Sequence, residues 1–243
     1  MGYFLSGQLL AQGQEIELTG EEARHILLSR RMKPGETFEL QGAGEKRYLA
    51  EILAVLKKSL KVKIIEPISP PPEPSVQITL LQSFVNEKAL DFIFQKSTEL
   101  GAHKIILFNS QNTATKLSSD VFAKKIGRWQ KILWEAAKQS DRVRPPLLEY
   151  LTDLSAVQKF LAGCKRFFLC DIAGKDPKSQ ILKLQSPPGP VGLVIGPEGG
   201  FTREEIKKLT VLPNCLPISL GPVLLRAETA ALSGLAIIGN MAG

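Results

Sequence analysis

The sequence predicts a two-domain α/β protein: a small N-terminal β-barrel followed by a larger domain on a mostly parallel sheet. Three observations carry this. Five prolines fall between Pro67 and Pro74, a composition that excludes helix and sheet interior and reads as an extended linker. Ahead of it lie short segments of alternating polarity, and behind it apolar runs alternate with helical patterns. Two late apolar runs, Val191 to Ile195 and Leu216 to Leu220, each break at a Gly-Pro pair, Gly196-Pro197 and Gly221-Pro222. Glycines at strand ends let a ligand approach the backbone, and ligands of open α/β sheets sit beyond the carboxyl ends of the strands, so the two turns together suggest one pocket. The boundary is placed at 70/71, giving domains 1–70 and 71–243.

In the first domain the strands are expected at 15–18, 37–40, 47–52 and 60–65, separated by turns rich in glycine or proline. A short helix opens near Thr19, whose spacing to Glu22 is that of a capping box. In the second domain a strand is expected over 76–81. Asn86 caps a helix that runs to Leu100 and is ended by Gly101. Then come a strand at 104–108, a long helix at about 119–139, a strand at 166–170 and the two glycine-turn strands. A helix starts after Thr202, which forms a capping box with Glu205, and an apolar helix follows near Glu228.

The chain has 243 residues, 31 basic against 24 acidic, and a net charge of +7. The basic residues come in clusters: Arg24 to Lys33, Lys57 to Lys63, Lys124 to Lys131 and Lys138 to Arg144. One cluster is a solvated face, but several together fit an extended polyanion. With three cysteines and no Cys-x-x-Cys spacing, neither a disulfide framework nor a zinc site is expected. The N-terminus lacks a signal-peptide pattern and no apolar stretch is long enough to span a membrane, so a cytoplasmic location is expected.

Familiar catalytic patterns are missing. Gly196-Pro197-Glu198-Gly199-Gly200 is not a dinucleotide-binding fingerprint, and Gly174-Lys175-Asp176 is not a P-loop. His25 and His103 are the sole histidines, which argues against a Ser-His-Asp hydrolase. The charged groups on the two glycine loops are Glu198, Arg226 and Glu228. On the helix after Asn86, Asp91, Gln95 and Glu99 share one face, read equally as a solvated or a substrate face.

The segments Ile195-Gly-Pro-Glu-Gly-Gly-Phe-Thr-Arg-Glu-Glu-Ile206 and Leu220-Gly-Pro-Val-Leu-Leu-Arg-Ala-Glu-Thr-Ala-Ala-Leu232 resemble the signatures of the RsmE-type 16S ribosomal RNA uridine-N3 methyltransferases, of the SPOUT trefoil-knot class. The stretches Gln95 to Gly101, Glu135 to Arg142 and His25 to Arg31 are similar to further motifs of that family. There are departures. Val223 stands where the family commonly has arginine, Ala227 where it has threonine, Lys138 where it has glutamate, and Gln111-Asn112 where it often has Glu-Arg.

The resemblance implies a trefoil-knotted SPOUT methyltransferase domain, an N-terminal PUA-like β-barrel domain that helps hold RNA, S-adenosylmethionine as methyl donor, and a homodimer acting on 16S rRNA or the small ribosomal subunit, with no metal and no membrane. It implies cofactor contacts from Ile195, Gly196, Pro197, Gly199 and Gly200 of the first turn, and from Ser219, Leu220, Gly221, Leu225, Thr229 and Ala230 of the second. Catalysis is expected from Arg226, Glu198 and Glu228, with Arg226 stabilising an anionic base. Arg226 and Glu228 could equally pair to hold the turn. RNA contacts are expected from Arg30, Arg31, Lys96, Glu99, Asn112, Gln139 and Arg142. The apolar helix 230–238 is the expected dimer surface. The alternatives are a methyltransferase of the same fold acting on a ribose 2′-oxygen or a transfer-RNA base, and an inactive RNA-binding module.

Overall fold

The chain divides into two units, residues 1–72 joined by 137–144, and residues 73–136 joined by 145–243. The computed structural model describes residues 2–181 and 190–242.

The first unit is a five-stranded sheet in the order β1-β3-β4-β5-β2, from β1 (Phe4–Leu5), β2 (Glu15–Leu18), β3 (Thr37–Gln41), β4 (Arg47–Val55) and β5 (Leu60–Ile68). Pairing is antiparallel except between β1 and β3. One face, with Leu40, Ala50, Ile52, Val62 and Ile64, wraps a core closed by Ala23 and Ile26 of the helical stretch α1 (Gly20–His25) and the wider turn after it, Ile26–Arg30. Thr19 precedes that helix, but its side chain makes no capping bond. The expected capping box is absent, and Glu22 Oε1 accepts instead from Lys138 Nζ at 2.9 Å. Arg47, 1 % exposed, lies over the Tyr3 ring and pairs with Glu39 at 3.2 Å and with Asp141. Tyr3 donates to the Arg142 carbonyl at 2.6 Å and Gln41 to that of Val143 at 2.9 Å. Segment 137–144 is therefore a structural part of this unit.

The second unit carries a six-stranded sheet, every pair parallel, in the order β11-β9-β10-β6-β7-β8. Its strands are β6 (Ile78–Ser83), β7 (Lys104–Phe108), β8 (Leu147–Leu151), β9 (Arg166–Lys175), β10 (Val191–Ile195) and β11 (Cys215–Ile218). Helices α2 (Glu87–Glu99), α3 (Ser119–Gln139) and α7 (Ala227–Ala242) cover one face through Leu90, Phe94, Trp129, Leu133, Leu235 and Ile238. On the other face α4 (Leu154–Ala162) and α6 (Arg203–Thr210) cover Leu81, Ile106 and Phe167. A short α5 (Pro177–Ile181) follows β9. Fully apolar strands such as β10 read as continuous runs because helices cover both faces.

Local signals placed these helices well. Asn86 accepts from the Ala89 amide at 3.0 Å, and Thr202 and Glu205 form the expected box. In helix α7, Ala231, Gly234, Leu235 and Ile238 recur at helical spacing and turn into the unit's own core, while Ala230, Leu232, Ala236 and Ile237 are half-buried. Among the described residues no helix is long and apolar enough to cross a membrane.

Candidate active site

Strands β10 and β11 end in the two glycine-proline turns, on either side of the end of β9. There the β9–β11 ladder breaks: Leu169 stands opposite Pro217, and the next pair is Lys175 with Ile218. Residues 170–174 thus leave the ladder as an excursion. Its base is closed where the Ser219 amide donates to the Lys175 carbonyl at 2.8 Å. Gly174 makes that closure possible, since a Cβ there would fall 2.2 Å from the carbonyl carbon of Ile218.

The excursion and the second turn form the walls of a cleft, with 170–172 on one side and 219–221, 223–225 and Ala230 on the other. Gly221 has φ +127°, in the region that favours glycine, and the place a Cβ would take is open space. Ser219 Oγ donates to the Gly221 carbonyl at 3.1 Å, which tightens the bend. Leu220, Leu225 and Ala230 give the cleft apolar walls, while Ile172, Val223 and Leu224 stand 63 %, 69 % and 83 % exposed at its rim. Asp171 is the one charged residue in the lining among the described residues. Burial, with the neighbouring Asp171 carboxylate, pushes the Cys170 thiol up to about 12.

Of the residues expected to hold a cofactor, the cleft brings together Ser219, Leu220, Gly221, Leu225 and Ala230. Thr229, which is exposed, lies outside its lining, and so do the buried Ile195 and Pro197, the half-buried Gly196 and the exposed Gly199 and Gly200 of the first turn. That turn is fastened instead to the loops after β6 and β7. Glu198 Oε1 accepts from the Asn86 side chain at 3.0 Å and its amide at 3.3 Å. Asn112 donates to the carbonyls of Gly199 at 3.3 Å and Gly200 at 3.1 Å. Gln82 reaches the Gly196 carbonyl at 3.4 Å, and the Phe201 ring packs against Gly196. Below, the hydroxyls of Ser83, Ser110 and Thr113 form a buried ring of contacts between 2.9 and 3.1 Å. The reason is topological: β10 lies next to β6, so its turn emerges beside Asn86.

Arg226 is exposed one residue beyond the lining residue Leu225, and Glu228 is half-buried. Among the described residues no ion pair joins them, so the alternative in which they pair to hold the turn is not realised. The Arg226 carbonyl accepts from the Ala230 amide at 2.8 Å and starts α7.

The expected RNA-binding residues fall into three groups. Arg30 and Arg31 are exposed. Lys96 is engaged by both carboxylate oxygens of Glu99 at 2.8 Å, and on the same helix Glu87 and Asp91 pair with Lys125 and Arg128. The acidic helix face is therefore engaged in ion pairs, and Lys125 holds the Glu87 carboxyl below the usual range. Gln139 is exposed within segment 137–144, and Arg142 is half-buried in it. Lys138 is buried against Glu22, and Arg144 pairs with Glu45.

Sequence reasoning missed Cys170, Asp171 and Ile172, because a parallel strand that steps out of its ladder reads locally as a strand that has ended. The glycine at 174 was the one local signal. Among the described residues no cluster of His, Cys, Asp and Glu could hold a metal ion.

A parallel sheet with a glycine-lined cleft at the carboxyl ends of its strands, in a chain that also carries a small β-unit, is the architecture of RNA methyltransferases. Residues 71–239 match an RNA methyltransferase domain and residues 18–65 an RNA methyltransferase PUA domain. The chain belongs to the ribosomal RNA small subunit methyltransferase E family. It is 31% identical to that protein from Bacillus subtilis (strain 168), over 96% of this chain and 93% of the relative. Among solved structures it is similar to the ribosomal RNA small subunit methyltransferase E from Neisseria gonorrhoeae bound to S-adenosyl methionine, with TM-score 0.84, 28% identity, and coverage of 99% and 97%. It is also similar to a putative methyltransferase from Legionella pneumophila in complex with the same cofactor, with TM-score 0.83, 29% identity, and coverage of 98% and 96%.

Proposed function

We propose that this chain is an S-adenosylmethionine-dependent methyltransferase acting on N3 of a uridine in 16S rRNA of the small ribosomal subunit. The observation that carries the reading is the cleft at the second turn, in a chain of this family. Its residues fit the cofactor. Leu220, Leu225 and Ala230 offer apolar surface for an adenine ring, the backbone around Gly221 offers donors and acceptors without a side chain in the way, and Asp171 offers one carboxylate. When bound, S-adenosylmethionine supplies a methyl group activated by its sulfonium.

The chain's own task is to deal with the proton on uracil N3. Losing it leaves a negative charge on the base, and the exposed Arg226 guanidinium beside the cleft is suited to stabilise that charge. Glu228, two residues on and free of ion pairs among the described residues, is the acceptor for the proton. Glu198 is tied to Asn86, so its part is to position the first turn.

The reading includes RNA phosphate contacts from Arg30 and Arg31, a two-fold dimer using the apolar rim of the cleft, and a knotted thread. In its support, the end of β11 passes at backbone contact beneath the β9 excursion. The test is to incubate the protein and methyl-labelled S-adenosylmethionine with naked 16S rRNA and with assembled small subunits, then to map the product by mass spectrometry. A 3-methyluridine is expected. A 2′-O-methyl nucleotide, or no transfer to either substrate, overturns the reading.

A further inference from the structure

The excursion of β9 delivers a carboxylate to a cleft whose other described lining residues are uncharged. Asp171 is half-buried, and one of its oxygens, Oδ1, accepts from the Ala173 amide at 2.7 Å, which fixes the plane of the group. No described residue engages its second oxygen. The loop that carries it is anchored at both ends, by the ladder at Leu169 and by the Lys175–Ser219 bond with Gly174 packed on Ile218. A carboxylate at the carboxyl end of a parallel strand, with one oxygen committed, the other unengaged among the described residues and the residue lining a cleft, is suited to accept from vicinal hydroxyls, as acidic residues at strand ends do for ribose in other α/β proteins.

We propose that Asp171 binds the ribose hydroxyls of the nucleoside part of the ligand in this cleft and so sets its specificity for ribonucleosides. The inference rests on the proposed cofactor reading. Three positions on S-adenosylmethionine could meet a carboxylate: the ribose diol, the sulfonium and the amino-acid ammonium. The diol suits Asp171 because the apolar walls at Leu220, Leu225 and Ala230 face the same cleft and would place the adenine ring, with the sugar bonded directly to it.

The experiment is titration calorimetry of the full chain and its Asp171→Asn variant with S-adenosylmethionine, S-adenosylhomocysteine, 5′-methylthioadenosine and the 2′,3′-dideoxy form of S-adenosylhomocysteine. The variant keeps the size of the side chain, and an unchanged melting curve checks its fold. The expected result is a loss of about ten- to a hundredfold in affinity for the three diol-bearing ligands, the range for hydrogen bonds to a charged group. The dideoxy ligand should bind the native chain equally weakly and be indifferent to the substitution. A loss confined to S-adenosylmethionine assigns Asp171 to the sulfonium, and a loss that spares methylthioadenosine assigns it to the ammonium; either overturns the proposal. Equal binding by both proteins overturns it as well. If the native chain binds none of the four ligands, it is the cofactor reading itself that fails.

Discussion

The turns at 196–200 and 219–226 look alike in sequence, each an apolar strand broken by Gly-Pro, yet they are held in different ways. The first is held from outside: Asn86 grips Glu198, Asn112 grips two carbonyls, and Phe201 covers Gly196. The second is braced at its base by the Lys175 carbonyl and within by the Ser219 hydroxyl, and exposes Val223, Leu224 and Arg226. What differs is the neighbour. The first turn emerges beside β6 and the loops that follow β6 and β7, whereas the second faces the place where β9 has stepped out of the ladder. A glycine-proline turn is thus a permission for close approach, and the surrounding strands decide whether protein or ligand makes use of it.

The largest effect that would sharpen this contrast is expected at Gly221. Valine there must adopt φ near +127°, and its side chain would stand in the cleft. Calorimetry should show cofactor binding lost by at least about a hundredfold, with a stability cost of roughly 1–3 kcal/mol from the strained backbone. Retained affinity would remove the second turn from the binding site.

Next in size is Arg226→Ala. Turnover should fall roughly a hundredfold, as for loss of one charge-stabilising donor, with cofactor affinity unchanged. Single-turnover kinetics beside calorimetry separate the two quantities, and normal turnover would leave the exposed guanidinium without a role.

Asn112→Ala probes the first turn. Removing two hydrogen bonds should lower stability by about 1–2 kcal/mol in denaturant melts and change cofactor affinity little. If affinity collapses while stability holds, the first turn is a wall of the site and the comparison breaks.

The smallest effect is in pH. The Cys170 and Cys215 thiols are pushed up to about 12 from an ordinary 9.0, so the folded chain binds their protons more tightly than the unfolded one. Their contribution is therefore complete below about pH 9 and is lost as pH rises from there toward 12. At pH 8 both thiols should react slowly with iodoacetamide, and each should react at the free-thiol rate in denaturant.

Much of this fold was legible because its signals are local. The strand at 104–108, the helix at 119–139 and the caps at Asn86 and Thr202 follow from periodicity and from side chains that reach three residues along the chain. Strand β8 and helix α4 were missed: Leu147-Leu-Glu-Tyr-Leu151 is a short edge strand after two prolines, and its parallel partner, β7, lies over forty residues earlier in the chain. The second turn's share of the site was legible through its glycine. The other wall was not, since the step in β9 is defined against β11 and by nothing within β9 itself. Arg47 shows the same limit. Its burial follows from Tyr3 and from Asp141, 94 residues away, and an arginine in an alternating strand reads as a solvent-facing residue.

That last arrangement sets a schedule for the growing polypeptide. During synthesis the first 72 residues emerge with a buried guanidinium that has Glu39 but lacks its second carboxylate, Asp141, and a Gln41 amide that lacks its acceptor 102 residues ahead. Removing one partner of a buried charge is costly, and the loop that brings Asp141 back must close before the contact rewards it. The N-terminal unit therefore completes its fold only after residue 144 has left the ribosome, and a fragment ending at the prolines, although it contains every strand of that sheet, is a less stable thing than the same strands in the whole chain.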